Sequence, residues 1–309
     1  MKRFQNKVAE SRRALPVAVV YGAAIWLAAG LIPQQWWIQF VCFVCSTFVM
    51  VLLNNSNALI RIYSRMVSAV FIVLSCAACF LFHSLTGAIF QLCFITSLLT
   101  LFRTYQDKES TGWIFYTFLL LGLASLAQIQ ALYFVPLFWF IMAVTIYSFS
   151  WRNLVASIFG LLLPYWCYAA GILWRNGGNF MPMTSHLEQL GHYIMPYDYT
   201  SLSLSQILTT GLIVLLTITG IIHFIRNSTY DKIRTRQIYY TLMLMNLFAM
   251  VLLIVQPQHY DVMMRVSIIT ASPIIGHFIA LTYTKITNIA FYVICTAALL
   301  LTAFNLWML

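Results

Sequence analysis

Apolar residues run along this chain in long blocks separated by short polar connections. A bilayer core about 30 Å thick takes about 20 helical residues per crossing. By that ruler the blocks predict eleven membrane-spanning helices: Leu15–Ile32, Trp37–Leu53, Met66–His83, Leu85–Phe102, Trp113–Ala127, Ile129–Phe149, Asn153–Leu173, Ile207–Ile225, Gln237–Val255, Arg265–Tyr283 and Thr287–Met308. The division that matters most lies within 113–149, a stretch with no formal charge. It is cut at Gln128-Ile129-Gln130, because two amides cost least at an interface. A single crossing there would invert everything downstream.

The charges test this count independently. With the N-terminus in the cytoplasm, the cytoplasmic segments are 1–14, 54–65, 103–112, 150–152, 226–236 and 284–286. They hold all of the 17 basic residues except Arg175 and Arg265, the asymmetry expected of loops retained on the cytoplasmic side. Trp36, Trp37, Trp113, Trp151, Trp174 and Trp307 fall at the expected interfaces. The expected fold is therefore an all-α, polytopic transmembrane bundle of about eleven spans. Its N-terminus is cytoplasmic and its C-terminus extracytoplasmic, in one integral membrane domain over 1–309 with a long outer loop at 174–206. The basic head before Leu15 resembles a secretory signal, but further spans follow at once, so it reads as an uncleaved anchor.

Composition narrows the classes. The chain is 62% hydrophobic and 8% charged, against about 45–50% and about 25% for soluble domains, which excludes a soluble enzyme and a disordered chain. The net charge of +10 is accounted for by topology and calls for no nucleic-acid partner. The 7 cysteines all fall inside predicted spans. Cys42-x-x-Cys45 and Cys76-x-x-Cys79 have metal-like spacing but lack further ligands, so they read as small packing residues.

Two connections carry content. In 54–65, Asn57 can cap a short helix on which Leu59, Ile62 and Met66 share one face and Arg61 and Arg65 another. Such a helix would lie in the interface with its arginines toward anionic headgroups; an ordinary positive-inside loop accounts for the same residues. In the outer loop, Ser185-His186-Leu187-Glu188 matches a capping box, and Leu187, Leu190 and Ile194 continue at helical spacing until Pro196. Pro136, Pro164 and Pro273 fall within spans and should kink them.

Candidate chemistry gathers on the outer side: Arg175, His186, Glu188, His192, Asp198, His259, Asp261 and Arg265, with His83 nearby. His259-x-Asp261-x3-Arg265 sets an imidazole, a carboxylate and a guanidinium at the mouth of a span, where they could bind an anionic headgroup or relay a proton. Polar loops between spans explain the same residues without a site. His186-x-Glu188-x3-His192 offers too few donors on one face for zinc, and no metal or cofactor is expected. No Asp or Glu falls inside a predicted span, which argues against ion-coupled transport. Among deep titratable groups His277 and His223 stand out, and one hydrogen bond to a neighbouring helix would explain His277.

Asn57-Ala-Leu-Ile-Arg61-Ile-Tyr-Ser-Arg65, the stretch Gly122-Leu-Ala-Ser125 to Tyr133-Phe-Val-Pro136, and Gly160-Leu-Leu-Leu-Pro164-Tyr165-Trp166 resemble an uncharacterised family of multi-pass inner-membrane proteins of Bacteroidota. The layout matches over roughly 15–300. The resemblance implies an inner-membrane location and assigns no catalytic residue. Three functional classes stay open: a cell-envelope protein acting on or binding a lipid-linked glycan or anionic lipid at the outer face; a small-molecule carrier or channel; and a non-catalytic scaffold subunit for a membrane protein partner.

Overall fold

The computed structural model describes residues 3–176, 180–191, 199 and 202–309, with the side chains of 175 and 176 outside that description. Among the described residues the chain is all helical. The helices are α1 (Phe4–Ala9), α2 (Ala14–Ala28), α3 (Trp37–Asn57), α4 (Met66–Ala77), α5 (Leu85–Arg103), α6 (Thr111–Ala127), α7 (Phe134–Val144), α8 (Trp151–Asn176), α9 (Met181–Glu188), α10 (Leu204–Asn227), α11 (Ile233–Val255), α12 (Tyr260–Leu281) and α13 (Lys285–Trp307). Seven of them, α3, α5, α8, α10, α11, α12 and α13, are long and apolar enough to cross a membrane, while α2, α4, α6 and the run Ile129–Val144 are shorter apolar helices. Each predicted segment thus falls on a helix, with the shorter four below full crossing length.

Local chemistry sets several boundaries. Ser84 accepts the Gly87 amide at 3.0 Å and starts α5. Ser203 with Gln206, and Thr284 with Thr287, form capping boxes that start α10 and α13. Gln128 adopts an extended conformation that ends α6, and a 3₁₀ turn, Ile129–Tyr133, leads into α7. Pro136 therefore occupies the first turn of α7, where its missing N–H costs nothing, and does not kink a span. Pro164 and Pro273 lie inside α8 and α12.

Two expectations are corrected here. Residues 58–65 form no interfacial helix. Asn57 belongs to the last turn of α3, Ala58 turns the chain with a left-handed φ of 46°, and Leu59 and Ile60 are buried in the core. Adjacent residues that both point inward cannot share one helix face, so tertiary burial overrides the amphipathic pattern. Ser185 does not cap a helix either: α9 starts at Met181-Pro182, with proline at an early position that needs no amide, and ends at Glu188. The predicted continuation through Ile194 lies mostly outside the described residues.

At the centre stands α12, packed against α4, α5, α10 and α11. Of its crossing window 94% is buried, against 22% for α13 and 28% for α8. Glycine permits the closest helix contact: a Cβ at Gly160 would lie 2.4 Å from the Phe115 carbonyl oxygen, so α8 lies directly against α6.

Hydrogen bonds sort the connections into two ends. At one, Gln106 N–H donates to the Ile146 carbonyl (2.8 Å) and Ser150 Oγ to that of Lys108 (3.0 Å), joining the start of α6 to the end of α7 as an antiparallel hairpin. Arg234 reaches Asn57 Oδ1 and the Phe102 carbonyl, both at 3.1 Å. Asn6 Nδ2 donates to the Thr282 carbonyl at 2.9 Å, and Arg3 to that of Tyr283. At the opposite end Gln128 meets Thr86 (2.8 Å), Gln130 meets His259 (3.1 Å), and His186 meets the Ser125 carbonyl (2.9 Å).

Candidate functional site

Ionisable side chains enter the interior at both ends of α12. At the first, Asp261 sits in the opening turn, where a carboxylate suits the exposed amides and the helix dipole. Arg265 follows one turn later, its Nε donating to Asp261 Oδ1 at 2.9 Å. The guanidinium is committed further: Nη1 donates to Gln91 Oε1 of α5 at 3.2 Å, and Nη2 to the Leu81 carbonyl. Arg265 is 4% exposed, while about a third of the Asp261 side chain (33%) is open. Gly87 makes the room, since a Cβ there would lie 2.6 Å from Arg265 Nε and 2.7 Å from Asp261 Oδ2. Beside the guanidinium is a cavity of about 20 Å³, bordered by Gln39, Gln91, Trp26 and Ser75. It is large enough for about one water, within reach of a buried Trp26 indole N–H and a Ser75 hydroxyl that have no protein partner.

The second centre joins parts far apart in the chain. Asp231, in the connection between α10 and α11, folds inward until its side chain is 2% exposed, and its Oδ2 accepts from His277 Nε2 at 3.1 Å. His277 is wholly buried. Arg61 approaches the same carboxylate at 3.8 Å and lies over the Tyr230 ring. The His223 ring centroid is 5.6 Å from that of His277, and Tyr239 and Phe224 meet the imidazole edge-on at 5.0 and 5.1 Å. Arg265 and His277 are twelve positions apart, about 18 Å along the helix. Between them, Asn246 of α11 donates to the Ser267 carbonyl (3.2 Å) and to Thr270 Oγ1 (2.9 Å).

Of the outer-side candidates among the described residues, only Asp261 and Arg265 are brought together directly. His259 pairs with Gln130 and His186 with a backbone carbonyl of α6, so each serves as a tie between elements. Glu188 is exposed at the end of α9. The Arg175 side chain, His192 and Asp198 lie outside the described residues. His83 Nδ1 contacts the Phe80 carbonyl at 2.7 Å. Arg65 contacts Tyr63 and Asn55 of its own loop, both at 3.3 Å. Among the described residues no group of three or more His, Cys, Asp and Glu is arranged for a metal ion.

The expectation that no Asp or Glu falls inside a span is overturned at Asp261, while Asp231 keeps its place in a connection but turns its side chain inward to His277. Asp261 belongs to α12, which starts earlier than the apolar block suggests. The one sequence signal for Asp231 is that it is the lone acid among Arg226, Lys232, Arg234 and Arg236. Gln91 gave none.

Comparison with protein-family models, curated proteins and solved structures finds no match for this chain. Among the described residues the protein is all-helical, with seven helices of membrane-crossing length.

Proposed function

We propose that this is a multi-pass protein of a bacterial inner membrane, crossing it eleven times with a cytoplasmic N-terminus, and that it carries a small polar solute past α12. The topology is supported by the hairpin of α6 and α7, whose free ends meet through Gln106 and Ser150. It is supported as well by the gathering of 54–65, 103–110, 226–236 and the N-terminal segment at a single end, all of them loops rich in basic residues.

One observation carries the functional reading. The most enclosed helix of the bundle holds an ionisable pair at each end, Asp261–Arg265 and Asp231–His277. Buried charge in a membrane bundle is costly and is a usual mark of a solute or proton route. The permanent cation at Arg265 suits an anionic solute, and an imidazole hydrogen-bonded to a carboxylate, as His277 is to Asp231, is a group able to pass a proton. The test is solute-driven proton movement in proteoliposomes loaded with a pH-sensitive dye, on adding acetate, succinate, phosphate, glutamate or glucose. At least one of them should drive a flux that protein-free vesicles lack.

A second reading, in which the protein handles a lipid-linked glycan or anionic lipid at the outer face, is favoured by the part-exposed Asp261 carboxylate lying at the same end as His259 and His186. It predicts altered envelope glycan when Asp261 and His259 are replaced by alanine in protein that still inserts, and no solute-driven flux.

A further inference from the structure

α1 and α2 together meet α13 at two levels, and α2 and α13 stand apart between them. Toward the Arg265 end, the Tyr21 hydroxyl donates to Thr302 Oγ1 at 2.8 Å. Toward the His277 end, α1 meets α13, with the Gln5 amide donating to Asn288 Oδ1 at 3.0 Å and Phe4 stacked on Tyr292. The gap is a groove of about 470 Å³ floored by α4 and α12, with Ala18, Val70, Ile279 and Ala298 among its walls. Its size falls in the range of small-ligand sites, about 300–1,000 Å³. Val17 and Leu299, 67% and 54% exposed, stand at its lips and turn toward the hydrocarbon of a surrounding bilayer. Among the described residues Arg13 is the one charged group that lines it, at the end where α2 begins.

These features specify an occupant. Packed interiors do not keep spaces of this size open, and apolar walls give water no partners. What fits is a flexible hydrocarbon chain entering from the bilayer through the lips. Arg13 lines the groove where α2 starts, and its side chain is exposed there; a guanidinium at such a mouth binds a lipid phosphate by paired charge-assisted hydrogen bonds.

We propose that this groove binds an anionic phospholipid, one acyl chain lying between α2 and α13 and the phosphate held at Arg13. The site is independent of the carrier reading and of the charged pairs on α12.

The test uses full-length protein, delipidated in mild detergent. Its unfolding midpoint is followed with added dioleoyl phosphatidylglycerol or dioleoyl phosphatidylcholine, and native mass spectrometry counts the lipid retained. Wild type should retain one phosphatidylglycerol and prefer it by about fivefold, the share of one basic group near a headgroup. Arg13→Gln, an exposed change, should bind the two lipids equally. Ala18→Phe, which fills the groove, should lose the response to both. Equal binding of the two lipids by wild type, an undiminished preference in Arg13→Gln, or a stronger response to free oleate than to phosphatidylglycerol would each overturn the assignment. If Ala18→Phe fails to fold, the Arg13→Gln comparison decides alone.

Discussion

At one end of α12 the buried cation is a guanidinium, always charged and held on three sides by Asp261, Gln91 and the Leu81 carbonyl. At the other the buried base is an imidazole with one carboxylate partner, Asp231, supplied by a connection. The first arrangement is rigid: its ion pair is local, spaced i,i+4 on one helix, and α5 supplies a glycine shaped to receive it. The second is conditional, because its charge depends on a proton and its acid on the fold of a loop. One end holds its ion pair within a single helix, and the other depends on a connection to bring its acid to its base.

The sharpest way to break this contrast is at Asp261. Asp261→Asn leaves Arg265 buried without its counter-charge, and removing one partner of a buried pair costs about 3–5 kcal/mol. The unfolding midpoint in detergent should fall steeply. Arg265→Met should cost less, because the Asp261 carboxylate is already part open and water can take it up; equal losses would show that the pair is not asymmetrically buried. Gly87→Ala comes next, at about 1–3 kcal/mol for forcing a methyl group into a filled space, read by the same midpoint. At the other end His277→Gln keeps a hydrogen-bond donor for Asp231 and should cost only about 1 kcal/mol, yet abolish proton-linked flux. A loss as large as that of Asp261→Asn would make this end as structural as the first. Arg61→Gln should be smallest, about 0.2–1 kcal/mol, since its contact with Asp231 is long and its side chain is 37% exposed.

The two ends also differ in how far they could be read from sequence. Arg265 was visible because it breaks the placement of basic residues, and its partner stands four positions away. The hydrophobic blocks located the helices because their length is dictated by the bilayer and needs no tertiary knowledge. The cut at Gln128–Gln130 followed from amide placement and coincides with the end of α6. By contrast, the His277–Asp231 pair spans 46 positions and joins a helix to a connection that looks like an ordinary basic loop. The same blindness to tertiary burial misled the reading of 58–65. Its helical pattern is real, but the burial of Leu59 and Ile60 and the bond from the Tyr239 hydroxyl to the Leu59 carbonyl at 3.3 Å hold it as a docked turn.

In the proposed carrier, the His277–Asp231 pair works through its proton. Dye-loaded proteoliposomes holding wild-type protein or Asp231→Asn, compared at equal reconstitution and with matched unfolding midpoints, test it directly. Wild type should show a proton flux driven by at least one of acetate, succinate, phosphate, glutamate and glucose, and the variant should lose it. Equal flux in the two, or none in wild type with any of those solutes, would contradict it.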